Sequence, residues 1–97
     1  MIRRDGPRMV VGGPVTLANV MQVLEEGRRH LEEGVHTVDL SEVTEMDSSL
    51  LAAMLGWLRD SKVREQDLTF TNLPAALQTI ARLYGVDGLL SVAPSRH

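Results

Sequence analysis

Residues Asp39 to Leu51 read DLSEVTEMDSSLL, and the rest of the fold is predicted outward from this stretch. The β-branched run Val35–Leu40 leads into it and predicts a buried strand. Residues 41–46 are predicted to form a polar loop. Asp47–Ser49 consists of residue types that cap helix N-termini, and it stands directly before a helical apolar pattern. The stretch therefore predicts a strand, a loop and the start of a helix.

One strand and one helix are predicted ahead of this stretch. Met9–Val11 is a short apolar run that Gly12-Gly13-Pro14 closes, which indicates a strand and a turn. Thr16 has the residue type of an N-cap, so the first helix is predicted from Leu17 to a stop at Gly34. Its apolar residues keep the spacing of one buried stripe: Leu17, Val20, Met21, Leu24 and Leu31.

The second helix is predicted from Ser49 to about Arg64, and a further strand and helix follow it. The alternating segment Leu68–Thr71 predicts a strand, and Pro74 suits the first turn of a third helix that ends at Gly85. The predicted inward residues of the second helix are Leu51, Met54, Leu55 and Leu58, and those of the third are Leu77, Ile80, Ala81 and Tyr84.

Alternation of strands and helices predicts an α/β fold with a largely parallel sheet and helices packed on it. The length, 97 residues, predicts a single domain over residues 1–97. Its core is expected over about residues 9–90. Residues 1–8 and 91–97 show no pattern and are expected to be flexible.

Composition excludes several classes of function. The formal net charge is −3 and there are only three aromatic residues, which argues against nucleic-acid binding. The chain has no cysteine, so disulfides and thiolate chemistry are excluded. The longest apolar stretch, Leu50–Leu58, is nine residues, too short to cross a bilayer. The charged start and Asp5–Arg8 do not form a signal peptide, so we expect a cytoplasmic protein.

No catalytic or metal-binding motif stands out. The histidines His30, His36 and His97 form no recognised metal or catalytic spacing. Ser48, His36 and Asp47 could be imagined as a triad, but no G-x-S-x-G elbow is present. Gly12–Pro14 lacks the lysine of a phosphate loop. We therefore predict no enzyme activity, no metal and no cofactor.

The central stretch resembles the motif of STAS domains. In that family an Asp-Leu pair ends a strand, and an apolar residue followed by Asp-Ser or Asp-Thr opens a helix, as Asp39-Leu40 and Met46-Asp47-Ser48 do here. The resemblance continues through Leu77 and Ala81–Tyr84 and covers about residues 9–90. It implies a STAS-type domain with a mixed, mostly parallel sheet of about four strands.

Two branches of the family compete. Anti-sigma factor antagonists resemble this chain in Met46–Ser49, with Ser48 at the position that partner kinases phosphorylate. The small STAS subunit of the Mla phospholipid transporter resembles it in compact length, in Ile80–Tyr84, and in lacking a further strand and helix. Leu50 departs from both branches, which usually have glycine there. This departure puts in doubt the usual presentation of Ser48 to a kinase.

The resemblance implies, first, a non-enzymatic subunit that binds and regulates the cytoplasmic ATPase of an Mla-type phospholipid ABC transporter, which serves outer-membrane lipid asymmetry. Its membrane association would be indirect, at the inner face of the inner membrane through the ATPase and the permease. The alternative is an anti-sigma factor antagonist that phosphorylation of Ser48 controls, with an anti-sigma factor kinase as its partner.

Asp47 and Ser48 allow two interpretations. They could simply cap the second helix. Alternatively, Ser48 could be a regulatory phosphorylation site, because the free N–H groups and the dipole at a helix N-terminus favour negative charge. A phosphate would add about −1.5 to −2 charge beside Asp47 and could repel a partner docked there.

A second interaction hypothesis concerns the outer face of the second helix. Projection at 100° per residue places Ser49, Ala53 and Gly56 outward, with Leu50 and Trp57 on the flank. Small residues on an exposed face suggest that another surface approaches closely; the alternative is a single exposed Trp among ordinary alanines. The predicted partner-binding set is Asp47, Ser48, Ser49, Leu50, Ala53, Gly56 and Trp57.

Overall fold

The computed structural model describes residues 1–90, in which a sheet of four strands carries three helices. The predictions for the tail, residues 91–97, lie outside the described residues. In chain order the elements are β1 (Ile2–Asp5), β2 (Arg8–Val15), α1 (Val20–Glu32), β3 (Thr37–Met46), α2 (Ser48–Val63), β4 (Thr69–Thr71), α3 (Ala75–Leu83) and a 3-10 turn over Asp87–Leu89.

The strands lie in the sheet in chain order, β1-β2-β3-β4. β1 is antiparallel to β2, whereas β2, β3 and β4 are parallel neighbours. This confirms the predicted α/β class and the mixed, mostly parallel sheet of four strands. Because the three parallel strands end at the same edge of the sheet, the loops that follow them and the first turns of α1, α2 and α3 all begin at that carboxyl edge.

The expectation that residues 1–8 are flexible is wrong, since β1 forms a hairpin with β2. Ile2 pairs with Val11 and is buried, and Asp5 pairs with Arg8 across a turn. Gly6 in that turn has φ 63°, a conformation that glycine adopts without a steric penalty. A four-residue strand with one apolar residue has too little periodicity to be found from sequence. The strand β1 forms because its backbone pairs with β2.

The polar segment 41–46, predicted as a loop, is also strand. Its residues pair in parallel with the second half of β2: Gly12 with Glu42, Pro14 with Glu45, and Val15 with Met46. Shifts of register between Val10 and Gly12 and between Gly13 and Pro14 accommodate the glycines and the proline. The prediction failed because both segments carry turn-forming or charged residues, while their mutual hydrogen bonds keep them extended.

One hydrophobic cluster joins the inner face of the sheet to all three helices. The strands contribute Ile2, Met9, Val11, Val15, Val38, Leu40 and Phe70, and the helices contribute Val23, Leu31, Leu50, Leu51, Ala53, Met54, Trp57, Leu77 and Ala81. Val10 is buried but lies outside this cluster, in register with Arg3 and Asp39 on the opposite face of the sheet. The helices therefore cover one face of the sheet only.

Helix α1 begins three residues later than predicted. Asn19 rather than Thr16 is the N-cap residue, and Asn19 accepts a hydrogen bond from Thr16 N at 3.0 Å through Oδ1. This turn removes Leu17 from the helix and leaves it 80% exposed, while Met21 is 68% exposed. The buried stripe predicted at Leu17 and Met21 is therefore wrong. The helix buries Leu31 as predicted, together with Val23 and Gly27.

Helix α3 buries Leu77 and Ala81 as predicted, but Tyr84 lies beyond its last turn and is exposed. The predicted apolar stripe of α3 is thus one residue too long. Ile80 is partly buried against the core.

Trp57 fixes the contact between α1 and α2. Its indole is fully buried, and Nε1 donates a hydrogen bond to the carbonyl of Leu24 at 3.0 Å. A Cβ added to Gly27 would lie 2.5 Å from atoms of the indole ring, so only glycine fits beneath it. On α2, directly before Trp57, a Cβ on Gly56 would lie 3.1 Å from Leu24 Cδ1 of α1. Two glycines, one on each helix, therefore let the two helices approach closely.

We predict that Gly27→Ala destabilises the protein by about 1–3 kcal/mol, because the new methyl group collides with a ring that its hydrogen bond holds in place. At an open helix position the same change would stabilise by about 1 kcal/mol. Urea denaturation measures the difference. Gly88→Ala is the control, since a Cβ there meets nothing within 4 Å, and its effect should stay within about 0.5 kcal/mol. A Gly27→Ala protein as stable as the parent would contradict the close packing.

Candidate functional site at the carboxyl edge

Asp47 and Ser48 stand where β3 ends and α2 begins. Asp47 is the N-cap residue with an extended backbone, φ −130° and ψ −168°, and Ser48 is the first residue of the helix. Both residues are exposed, and Ser49 is partly buried. The backbone N–H of Asp47 donates to the carbonyl of Val15 at the end of β2. The helix start is thereby tied to the sheet.

The Asp47 carboxylate joins two loops. Oδ1 accepts from the backbone N–H of Ser49 at 2.8 Å, which is the predicted cap. Oδ2 accepts from the backbone N–H of Leu17 at 3.1 Å, which sequence alone did not indicate. The hydrogen bonds from Leu17 and then from Ser49 lower the pKa of Asp47 below its ordinary value, because they stabilise the charged form. The Asp47 carboxylate therefore links the β2–α1 loop to the N-terminus of α2 through two hydrogen bonds.

Ser48 presents its hydroxyl at the N-terminal end of α2. The helix dipole makes this end a tolerant place for an anion, although the N–H groups of Ser49 and Leu50 already donate to Asp47. The residue four positions on, Ala52, is exposed on the same face of the helix. A phosphate on Ser48 would thus find space and favourable dipoles without entering the core.

The predicted docking face of α2 is wrong in four of its residues. Leu50, Ala53, Gly56 and Trp57 are all buried. The reason is that α2 contacts both α1 and α3, while its inner residues belong to the cluster that packs on the sheet. Gly56 faces Leu24 of α1 and not a partner protein. Of the predicted set, Asp47, Ser48 and Ser49 remain at the surface or partly so.

Sequence reasoning missed two exposed apolar residues near the start of α1, Leu17 and Met21; the backbone N–H of Leu17 donates to the Asp47 carboxylate. Their spacing matched a buried stripe, so they were assigned to the core. For Leu17 the signal was Asn19, because asparagine is a preferred N-cap and a helix that starts at Val20 excludes Leu17. Met21 is exposed because α1 packs through Val23, Gly27 and Leu31, which lie on another face of the helix. Leu17 and Met21 are two of the large apolar side chains most exposed among residues 1–90.

Asp39, the first residue of the motif, is a structural carboxylate on the uncovered face of the sheet. It is only 5% exposed. Burial by itself would raise its pKa, but hydrogen bonds from Ser41 N at 2.9 Å and Asn72 Nδ2 at 3.1 Å, with the charge of Arg8, outweigh burial and lower it. Asp39 thereby holds the loop after β4 against β3.

The histidines considered in the sequence analysis lie apart from the start of α2 in the order of elements. His30 lies near the end of α1 and His36 directly before β3, at the edge opposite to Ser48. Within residues 1–90, no group of three or more His, Asp or Glu side chains is placed to hold a metal ion. No helix in that range is both long and apolar enough to span a membrane.

Comparison with models of known protein families identifies the family of this chain. The family model described as "Mlab, STAS domain" matches residues 2–91, nearly the whole chain. The chain belongs to the STAS domain family. No individual curated protein matches its sequence closely enough to count as a relative.

Solved structures show the same STAS fold. The chain is similar to the anti-sigma factor antagonist SpoIIAA in its unphosphorylated form, with TM-score 0.71, 15% identity, and coverage of 98% of this chain and 88% of that one. It is similar to tm1081 of Thermotoga maritima, assigned as an anti-sigma factor antagonist, with TM-score 0.76, 12% identity, and coverage of 98% of this chain and 86% of that one. It is also similar to the phosphorylated form of the Bacillus cell fate determinant SpoIIAA, with TM-score 0.67, 15% identity, and coverage of 98% of this chain and 91% of that one.

We predict that Asp47→Asn releases the β2–α1 loop while keeping α2 capped. The two N–H groups approach different carboxylate oxygens, and a carboxamide keeps only one of these as an acceptor and places an NH₂ donor at the other. Amide hydrogen exchange followed by NMR should show the Leu17 amide exchanging roughly tenfold faster, since it loses its charged acceptor. Ser48→Ala is the control, because it leaves the carboxylate in place. Unchanged exchange at Leu17 would mean that Asp47 does not hold the loop.

For Asp39 we predict a pH-dependent contribution to stability. Its folded pKa lies below the ordinary 3.8, so its contribution is complete above that value and is lost as pH falls through the folded pKa. Asp39→Asn should destabilise the protein by about 1–3 kcal/mol at pH 7. It should also remove part of the decline in stability below pH 3.8. Denaturation at a series of pH values tests this, and parallel curves for variant and parent would contradict it.

Proposed function

We propose that this chain is a non-enzymatic STAS subunit that binds and regulates the cytoplasmic ATPase of an Mla-type phospholipid ABC transporter. The observation that carries the proposal is the match of residues 2–91 to the family model described as "Mlab, STAS domain". In this role the chain would sit at the cytoplasmic face of the inner membrane through the ATPase and the permease, and it would hydrolyse no ATP itself.

The geometry at Ser48 favours binding over catalysis. A serine nucleophile needs a neighbouring general base with a suitable pKa. The nearest carboxylate in sequence, that of Asp47, accepts two backbone N–H groups and has a lowered pKa, which makes it a poor base. The Asp47–Ser48 pair is therefore better suited to forming a shaped surface than to activating a nucleophile.

The surface that supports partner binding lies at the carboxyl edge. We define the docking edge as Leu17, Met21, Asp47, Ser48 and Ala52. Leu17 and Met21 supply large exposed apolar side chains of the kind that anchor interfaces. The Asp47 carboxylate holds Leu17 beside Ser48. Apolar anchors and a polar helix start thus share one edge of the fold.

A second candidate function is an anti-sigma factor antagonist controlled by phosphorylation of Ser48. The observation that favours it is the exposure of Ser48 on the first turn of α2. Phosphate there would add about −1.5 to −2 charge to the docking edge without disturbing the core. In this alternative the partner is an anti-sigma factor kinase.

We predict that Leu17→Ser and Met21→Ser each weaken binding to the purified ATPase about tenfold, because each removes an apolar anchor. Isothermal titration or gel filtration measures the affinity. Both residues are exposed, so the unfolding midpoint should not change. Leu83→Ser is the matched control, since Leu83 is 79% exposed at the far end of α3. Equal losses for all three variants would place the interface elsewhere.

The two candidate functions separate in one experiment on native cells. The tagged chain is captured, and mass spectrometry identifies its partners and the state of the Ser48 peptide. An ABC ATPase and a permease with unmodified Ser48 would support the transporter subunit. A serine kinase with phosphate on Ser48 would support the antagonist and contradict the transporter subunit.

A further inference from the structure

The charges of this chain are distributed unevenly. Residues 9–24, 40–58 and 68–81 contain no Lys, Arg or His, and their acidic residues are Glu42, Glu45 and Asp47. All ten Lys and Arg and the other ten of the thirteen acidic residues lie in the rest of the chain, where they cancel. The formal net charge of −3 is thus the charge of these three acidic residues.

The ends of these segments meet at the carboxyl edge of the sheet. They contain β2 from Met9 onward, β4, the end of β3 from Leu40, and the first turns of the three helices. The start of β1, with Arg3 and the α-ammonium group of Met1, lies towards the same edge. The edge therefore combines exposed apolar side chains with acidic ones. The exposed apolar residues elsewhere, such as Val63 and Leu83, lie beside the cationic Lys62 and Arg82 in the chain.

The acidic residues of the edge are compensated to different degrees. Glu42 is paired with Arg3 at 2.7 Å, and the α-ammonium group of Met1 donates to the carbonyl of Gly12 nearby. Asp47 keeps its charge, but both of its carboxylate oxygens already accept backbone hydrogen bonds. Glu45 is exposed and, among residues 1–90, makes no ion pair. Glu45 is therefore the charge most available to a partner.

We infer that the docking edge binds a protein surface in which Lys and Arg side chains surround an apolar pocket, with Leu17 and Met21 in the pocket and Glu45 against the basic rim. The inference rests on the proposed function only for the location of the binding surface. Complementary potentials of this kind steer association and set specificity. A second copy of this chain is disfavoured, because a two-fold contact would bring Glu45 and Asp47 of both copies together, and neither carboxylate has a cationic partner among residues 1–90. The same two carboxylates disfavour nucleic acid and anionic lipid.

The first test uses probes of known chemistry. Two amphipathic helical peptides share one leucine face and differ in the other face, which is Lys in one and Glu in the other. In an NMR titration of the isotope-labelled chain, the Lys peptide should shift the amide signals of Leu17, Met21, Glu45 and Ser48, and the Glu peptide should not. Equal response to the two peptides, or shifts centred on Val63 and Leu83, would overturn the inference.

The second test uses the purified Mla-type ATPase and two charge reversals. Glu45→Lys should weaken binding about threefold to tenfold and reduce its dependence on salt, because it removes an attraction and adds a repulsion. Asp67→Lys is the matched control, since Asp67 is exposed in the loop before β4, at the opposite edge. It changes the net charge equally and should leave affinity unchanged.

The outcomes separate the two proposals. If the Lys peptide binds the docking edge and the ATPase does not bind at all, the proposed function fails and the inference stands. If the ATPase binds with the same affinity to parent and Glu45→Lys, the proposed function stands and the inference fails. Equal weakening by Glu45→Lys and Asp67→Lys would also overturn it, because net charge rather than the docking edge would then govern binding.

Discussion

The packing of the Trp57 indole against Gly27 is the contact on which the arrangement of the helices depends. The ring is buried, its N–H is satisfied by the carbonyl of Leu24, and a Cβ on Gly27 would collide with it. This contact fixes how closely α1 and α2 approach and in which register. Because both helices begin at the carboxyl edge of the sheet, the same register places the β2–α1 loop beside the start of α2. The geometry of the carboxyl edge therefore depends on core packing deeper in the helical layer.

The sheet divides the molecule into two unlike faces. Its inner face packs against all three helices in one hydrophobic cluster. The uncovered face is lined by charged side chains that pair with one another, as Arg3 does with Glu42 and Arg8 with Asp39. The exposed pair of Arg3 with Glu42 contributes little stability, whereas Arg8 pairs with a buried carboxylate. Together these charged side chains leave no apolar face open to unspecific association. Large apolar side chains are instead exposed at the ends of the helices and loops.

The carboxyl edge combines three features that have different physical origins. Asp47 ties two loops together through charge-assisted hydrogen bonds, which shape the backbone. Leu17 is exposed because the turn that Asn19 closes delays the start of α1, and Met21 is exposed because α1 packs through Val23, Gly27 and Leu31. The acidic character comes from Glu45 and Asp47, since Glu42 is paired with Arg3. Together these features suit a surface that recognises another protein.

The sequence by itself determined the order of strands and helices after Met9, the α/β class, the family and the capping role of Asp47, because these depend on local patterns and short motifs. It did not determine β1 or the second half of β3, which exist only through pairing with β2. Sequence patterns also placed Trp57 at the surface and Leu17 in the core, whereas Trp57 is buried and Leu17 is exposed. The burial of a helix residue depends on how many neighbours surround the helix, and only the tertiary structure decided that α2 is packed on two sides while α1 begins at Val20.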